Sequence, residues 1–285
     1  MKVLNVLTVD VEDYFHVEAF ANNLRAEDWD SYPLRVEANT RRLLDIFASR
    51  GVSATFFVLG WVAQRCPTLV REIAAAGHDV GCHGFAHQAI YRGSKQDFVR
   101  DLRRAKMIIE NILGSPVTAY RAPSYSITAK TIWALDLLAE EGFEYDSSIF
   151  PIVHDLYGIP GAPRFPHVRA LNNGKEIKEF PPSTLRLLGI NFPVGGGGYF
   201  RLFPYSVTSF AIHRINLVEN QPVMFYIHPW ELDPEQPRLT ARWLSRFRHY
   251  QNLASTETRL KTLLSEFEFS TLQKVFDSRS VPRIV

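Results

Sequence analysis

Short apolar runs alternate along this chain with stretches of helical period. Val3 to Val9 is almost wholly apolar, as expected of a strand covered on both faces. A helix is predicted from about Val36 to Arg50, with Leu43, Leu44, Ile46 and Phe47 on its inner side and Gly51 as its stop. Ala54 to Val58 predicts a second strand. Pro67 opens a helix that Gly77 closes, and Asp79 to Cys82 predicts a third strand. Ser94, with Asp97 behind it, caps a long helix that stops at Gly114. A strand near Val117 to Tyr120 follows, then a helix capped by Thr128 and ended by Gly142, then a short strand reaching Asp146. Ser148 to Asn173 holds several prolines and glycines and reads as a long loop, of the kind that is usually functional. Ile177 to Pro181 and Val223 to Ile227 complete the strands of the main body.

Strands that alternate with helices in this way, about seven of them, predict a parallel sheet with helices outside, either an open sheet or a barrel. In both architectures the ligand site lies at the carboxyl ends of the strands. The segment from Pro237 onward differs. It holds Arg238, Arg242, Arg246, Arg248 and Arg259, and reads as a helical hairpin followed by a strand around Phe267 to Ser270. No glycine- or serine-rich linker precedes it. Residues 1–285 therefore read as a single catalytic domain, with 237–285 as a helical and strand appendage packed on it.

Composition narrows the classes. The 285 residues are 46% hydrophobic, ample for a large core. A formal net charge of +2 gives no reason to expect a nucleic-acid partner. The two cysteines, Cys66 and Cys82, imply no disulfide framework and fit a reduced, cytoplasmic setting. Asp10, Glu12 and Asp13 interrupt the apolar start too early for a signal peptide, and no run has the length of a membrane span. Membrane association through a surface patch or a partner stays open, and the oligomeric state is not set.

Five polar motifs lie at the carboxyl ends of predicted strands: Asp10-Val11-Glu12-Asp13, His83 and His87, Arg121-Ala122-Pro123, Tyr145-Asp146-Ser147-Ser148, and Ile227-His228-Pro229. If His83 opens a helical turn, His83 and His87 project from one face and supply half of a four-coordinate divalent-metal site. Each motif has a plainer reading when taken singly. The two histidines suit a solvated loop, Arg121 a surface, Asp146 a turn and His228 a core strand. Their convergence on one rim favours one composite site.

Together, in this order, the motifs resemble those of the polysaccharide deacetylases of carbohydrate esterase family 4, the NodB-homology domain. The Asp10-Val-Glu-Asp-Tyr-Phe and Tyr145-Asp-Ser-Ser-Ile-Phe-Pro segments and the arginine-rich tail look like a subgroup associated with bacterial exopolysaccharide biosynthesis. The resemblance implies a distorted (β/α)7 barrel with a C-terminal helical extension. It also implies a divalent metal, usually zinc, and hydrolysis of an N-acetyl group on an amino sugar. By resemblance, Asp10 is the general base, paired with Arg121. His228 is the general acid, oriented by Asp146, and a backbone N–H just after Pro123 helps to hold the oxyanion. The family's first motif commonly has two adjacent aspartates, the second a metal ligand, whereas here Val11 follows Asp10. Strand alternation puts Glu12 on the side of Asp10, so Glu12, His83 and His87 are the expected ligands, with Asp13 as the alternative carboxylate if the strand has already turned.

Tyr125, Trp230 and Tyr199 are candidates for stacking on sugar rings. Cys82 alternates away from His83 and reads as a buried thiol. Gly195 to Gly198 lacks the Lys-Ser/Thr of a nucleotide loop and reads as a mobile loop near the substrate. The substrate expected is an N-acetylated glycan in an exopolysaccharide or its intracellular intermediate. The alternatives are an allantoinase-like hydrolase of a small cyclic amide or ureide, and a non-catalytic glycan-binding protein.

Overall fold

The computed structural model describes residues 3–21 and 24–284. The strands are β1 (Leu4–Val11), β2 (Thr55–Val58), β3 (Asp79–Cys82), β4 (Ala119–Tyr120), β5 (Tyr145–Asp146), β6 (His167–Ala170), β7 (Glu176–Glu179), β8 (Thr184–Leu187), β9 (Ile190–Pro193), β10 (Met224–Ile227), β11 (Glu268–Ser270) and β12 (Arg283–Ile284). The helices are α1 (Val36–Ala48), α2 (Gly60–Arg65), α3 (Pro67–Ala75), α4 (Lys95–Leu113), α5 (Ala134–Glu140), α6 (Gly197–Leu202), α7 (Tyr205–Leu217), α8 (Trp243–Tyr250), α9 (Leu253–Glu266) and α10 (Leu272–Asp277).

Seven strands run parallel in the order β10-β1-β2-β3-β4-β5-β7. β6 joins antiparallel to β7, and β12 extends that edge. Between β7 and β10 the ring is closed by irregular chain rather than by a ladder. The Ser183 hydroxyl accepts from Met224 N at 2.8 Å, and Gly195 O accepts from Tyr226 N at 2.7 Å. This is the distorted barrel that the motif order implied. The glycine run is what lets its backbone close: a Cβ on Gly196 would lie 2.0 Å from Tyr226 O. Gly195 to Gly197 are buried against β10, so they seal the barrel rather than form a mobile loop.

β1 shows how strand alternation builds the interior. Leu7, Val9 and Val11 face the large core beneath the helices. Val6 faces the other way and joins Phe57, Tyr145, Phe180, Met224, Leu272, Val275 and Phe276 in an apolar plug. Above Val6 on the same face come Thr8, Asp10 and Glu12, so the inner face turns polar toward the carboxyl end. The tail contributes directly: β11 pairs with the start of β1 (Leu4 opposite Glu268), and α10 supplies three plug residues.

Local signals were accurate where a capping group was present. Ser94 and Asp97 form the expected capping box, and Gly114 ends α4 at φ 69°. They failed at Thr128. Its N–H donates to Thr131 Oγ1 at 2.8 Å in a separate turn, and α5 starts only at Ala134. The long loop after Ser148 contains β6. The β8–β9 hairpin and α2 were not anticipated either. α2 begins at Gly60, where a Cβ would meet Ala105 of α4 at 2.9 Å, so tertiary packing rather than periodicity selects that start.

Candidate active site

β1 delivers Asp10 and Glu12, both buried, onto the inner face. Glu12 Oε2 lies 2.7 Å from His87 Nε2. One ligand atom each from Glu12, His83 and His87 falls within a 4.8 Å cluster. Asp13 is turned away. Its Oδ2 accepts from Arg35 N (2.7 Å) and Val36 N (2.9 Å), and its Oδ1 from Tyr14 N (2.9 Å), so it caps α1 from a distance.

The two histidines do not converge through a helical turn. Residues 83–89 are irregular, with Gly84 at φ 71° and His87 at φ 48°. Asp101 of α4 pins that loop by accepting from Phe85 N at 2.7 Å and Ala86 N at 3.0 Å. A left-handed histidine is strained, and strain of this kind collects at functional sites. His83 Nδ1 donates to the Arg121 carbonyl at 2.8 Å, which leaves its Nε2 as a lone-pair donor, the tautomer a metal requires. Burial lowers its pKa to about 4, so the ring is neutral. Burial also acts on Glu12, but the neighbouring His87, His228 and His83 outweigh it and hold the carboxyl well below its usual range. Glu12 Oε2 is buried, and its close neighbour is the His87 ring at 2.7 Å, a contact without hydrogen-bond geometry. A buried carboxylate oxygen set against two imidazoles, one of them neutral and oriented, fits a divalent cation.

Arg121, following β4, is fully buried. Its Nη1 donates to Asp10 Oδ1 and Thr8 Oγ1, each at 2.7 Å, its Nη2 to Ser147 Oγ at 2.8 Å and its Nε to Ser147 O at 3.1 Å. The fork fixes one Asp10 oxygen and leaves Oδ2 facing His228 Nε2 at 3.8 Å.

The carboxylate that holds His228 is Glu231, not Asp146. Glu231 Oε1 accepts from His228 Nδ1 at 2.7 Å and from its backbone N–H at 3.0 Å. Glu231 Oε2 accepts from Arg201 Nε at 2.6 Å, and both side chains are buried. Burial alone would lower the His228 pKa, yet Glu231, Glu12 and Asp10 raise it to about 9. Asp146 instead accepts from the Ser148 hydroxyl (2.6 Å) and the Ser148 N–H (3.0 Å). Burial raises its pKa, and burial with the Asp146 charge pushes Glu179 well above the carboxylate range. The two carboxyls thus keep a proton between them beneath the Ser147–Ser148 turn that carries Arg121. The short reach from His228 through Pro229-Trp230 to Glu231 explains the outcome: one 3-10 turn brings residue i+3 back onto the ring.

Trp230 is not an open sugar platform. It is buried between the rings of His228 (5.1 Å) and His249 (4.2 Å), and its Nε1 donates to Glu12 Oε1 at 3.1 Å. Tyr125 is also buried, edge-on to Phe150 and Tyr226. Only Tyr199 of the three aromatic candidates stays half-exposed. His16 lies fully buried among Trp29, Trp61 and Phe15, its Nδ1 accepting from Asp13 N at 2.8 Å. Cys82 is a buried thiol pushed up to about 12.

Fold and site define an α/β barrel with a candidate mononuclear metal centre at its carboxyl mouth. Residues 28–143 match the polysaccharide deacetylase family and residues 147–277 a domain of unknown function (DUF3473). Over residues 28–143 the chain thus carries a polysaccharide deacetylase match, of the carbohydrate esterase family 4, NodB type. That first match contains His83, His87 and Arg121, while Asp10, Glu12, Asp146 and His228 lie outside it. Among relatives, a peptidoglycan deacetylase of Helicobacter pylori is 29% identical over 113 residues, 40% of this chain and 38% of that protein. A chitooligosaccharide deacetylase of Sinorhizobium fredii is 36% identical over 70 residues, 25% of this chain and 33% of that protein. The matches thus span well under half of these relatives. The structure of a putative polysaccharide deacetylase from Mycobacterium smegmatis covers 100% of this chain and 93% of its own at a TM-score of 0.65 and 18% identity, a likeness of fold. No helix among the described residues is long and apolar enough to cross a membrane.

Proposed function

We propose that this protein is a zinc-dependent hydrolase that removes N-acetyl groups from an amino sugar in a bacterial exopolysaccharide or its intracellular intermediate. The observation that carries the reading is the placement of two differently supported proton-transfer groups beside one buried Glu-His-His triad. Asp10 is held by a cation and His228 by an anion, and they face each other at 3.8 Å. Amide hydrolysis needs a base for water and an acid for the departing nitrogen, and these environments separate the two roles.

When bound by Glu12, His83 and His87, a divalent ion supplies Lewis acidity to the acetyl carbonyl and acidifies the attacking water. Arg121 holds Asp10 in place through Oδ1, and Asp10 Oδ2 takes the water proton as oxygen adds to the acetyl carbon. The backbone N–H of Ser124, at φ 55° directly after Pro123, is a donor for the developing oxyanion. His228, held as imidazolium by Glu231, gives its Nε2 proton to the nitrogen as the carbon–nitrogen bond breaks. Acetate and a free amino sugar result. Trp230 holds Glu12 in place through its Nε1.

The test is acetate release from N-acetylated oligosaccharides, with cyclic ureides as the competing substrate class. Asp10→Asn and His228→Ala should each lower turnover by about 10² to 10⁴. Turnover of ureides but not of glycans, or near wild-type rates in both variants, would overturn the reading.

A further inference from the structure

Two groups of exposed apolar residues flank the mouth of the barrel. The β8–β9 hairpin turns at Leu188-Gly189, with φ 49° and 81°. Positive φ at both positions suits Asn-Gly, whereas a leucine there is strained, and Leu188 is wholly exposed. Leu187, Ile190 and Phe192 beside it are exposed as well. On α8, Trp243 (77% exposed) and Phe247, one turn apart, point into solvent.

The two groups are contiguous around the rim. Asn191 of the hairpin donates to Pro151 O at 2.7 Å. The chain beyond Pro151 carries His154 stacked on Tyr157 at 3.8 Å, and Arg248 of α8 lies near enough to perturb both. Tyr157 in turn packs on Tyr125, beside the buried Arg121.

Charge selects the occupant. No acidic residue occurs between Glu179 and Glu219, or between Glu235 and Glu257. Those stretches hold exposed Arg186 on the hairpin, Arg242 just before α8, and Arg246 and Arg248 on α8. A second copy of this chain docked face to face would oppose like charges. On the loop between the two groups, exposed Asp155 is paired with His154, and the hairpin and α8 themselves carry arginines without acids. Aromatic and aliphatic tips among those arginines match the interface of an anionic bilayer.

We propose that the β8–β9 hairpin tip and the exposed face of α8 insert shallowly into the headgroup region of an anionic lipid bilayer, setting the barrel mouth at the membrane surface. Such docking is independent of the hydrolytic reading, because vesicle binding is measured without turnover.

The experiment is co-sedimentation of the full chain with vesicles of phosphatidylcholine and phosphatidylglycerol, against phosphatidylcholine alone. Binding to the mixed vesicles is expected, weakened by added salt. Leu188→Asn, Trp243→Ser and Arg246→Glu should each weaken partitioning about tenfold. Asparagine tolerates positive φ, so Leu188→Asn should melt no lower than wild type, which separates lost docking from lost folding. Failure to bind mixed vesicles overturns the proposal, as does binding that all three substitutions leave unchanged. A lipid-free dimer that Leu188→Asn dissolves would overturn it too, assigning the patch to a second copy.

Discussion

Glu231→Gln is the most informative single change. In the wild type, Glu231 takes both the His228 ring proton and the His228 backbone N–H on one oxygen, and its other oxygen neutralises buried Arg201. The His228 pKa of about 9, against an ordinary 6.5, corresponds to about 3 kcal/mol favouring imidazolium in the metal-free protein, at 1.36 kcal/mol per tenfold. Because the folded-state value lies above the unfolded one, this advantage to the fold is full below pH 6.5 and is lost as pH rises through about 9. Glutamine keeps an acceptor but removes the charge, while Asp10 and Glu12 still support the ring. The limb of the pH–rate profile that descends with His228 deprotonation should therefore move down by about one to two pH units. Turnover of N-acetyl substrates near neutral pH should fall by about 10² or more. Activated aryl acetates, whose leaving groups need no protonation, should be spared. Leaving the Arg201 guanidinium buried without its anion should also destabilise the fold by about 3–5 kcal/mol, so rates are to be measured well below the melting temperature. An unshifted limb together with equal losses on amides and aryl acetates would refute the idea that Glu231 acts through the acid.

The remaining predictions concern neighbouring groups. Asp146→Asn should leave that limb in place, yet lower stability by about 1–3 kcal/mol through the bonds to Ser148 that it disturbs, as read by denaturant melts. His83→Ala and Glu12→Ala should lose divalent metal in equilibrium dialysis. Asp13→Ala should keep it and instead destabilise the start of α1 by about 1–2 kcal/mol. Arg121→Met should leave Asp10 buried and unpaired, at a cost of about 3–5 kcal/mol in thermal melts, with activity lost alongside.

What the sequence revealed followed from periodicity. The two-residue repeat of β1 was enough to choose Glu12 over Asp13, since Val6, Thr8, Asp10 and Glu12 share one face. Strand ends placed Asp10, His83, Arg121 and His228 on one rim. Convergence of His83 and His87 was legible, but its route was not: it depends on two left-handed residues and on Asp101 reaching in from α4. Glu231 was within reach, three residues after His228 behind a proline that begins a turn. Arg201 was not, because only the folded chain brings α6 against that turn. Periodicity also cannot tell a tryptophan clamped between two histidines from one open to a sugar, and Trp230 is the clamped kind.

Acetate release before and after metal removal tests the central claim most directly. N-acetylated oligosaccharides should yield acetate with the metal-loaded protein. The rate should fall to background after chelation and dialysis and return when one equivalent of zinc is restored. Undiminished acetate release from protein shown by elemental analysis to be free of divalent metal would contradict a site built on Glu12, His83 and His87.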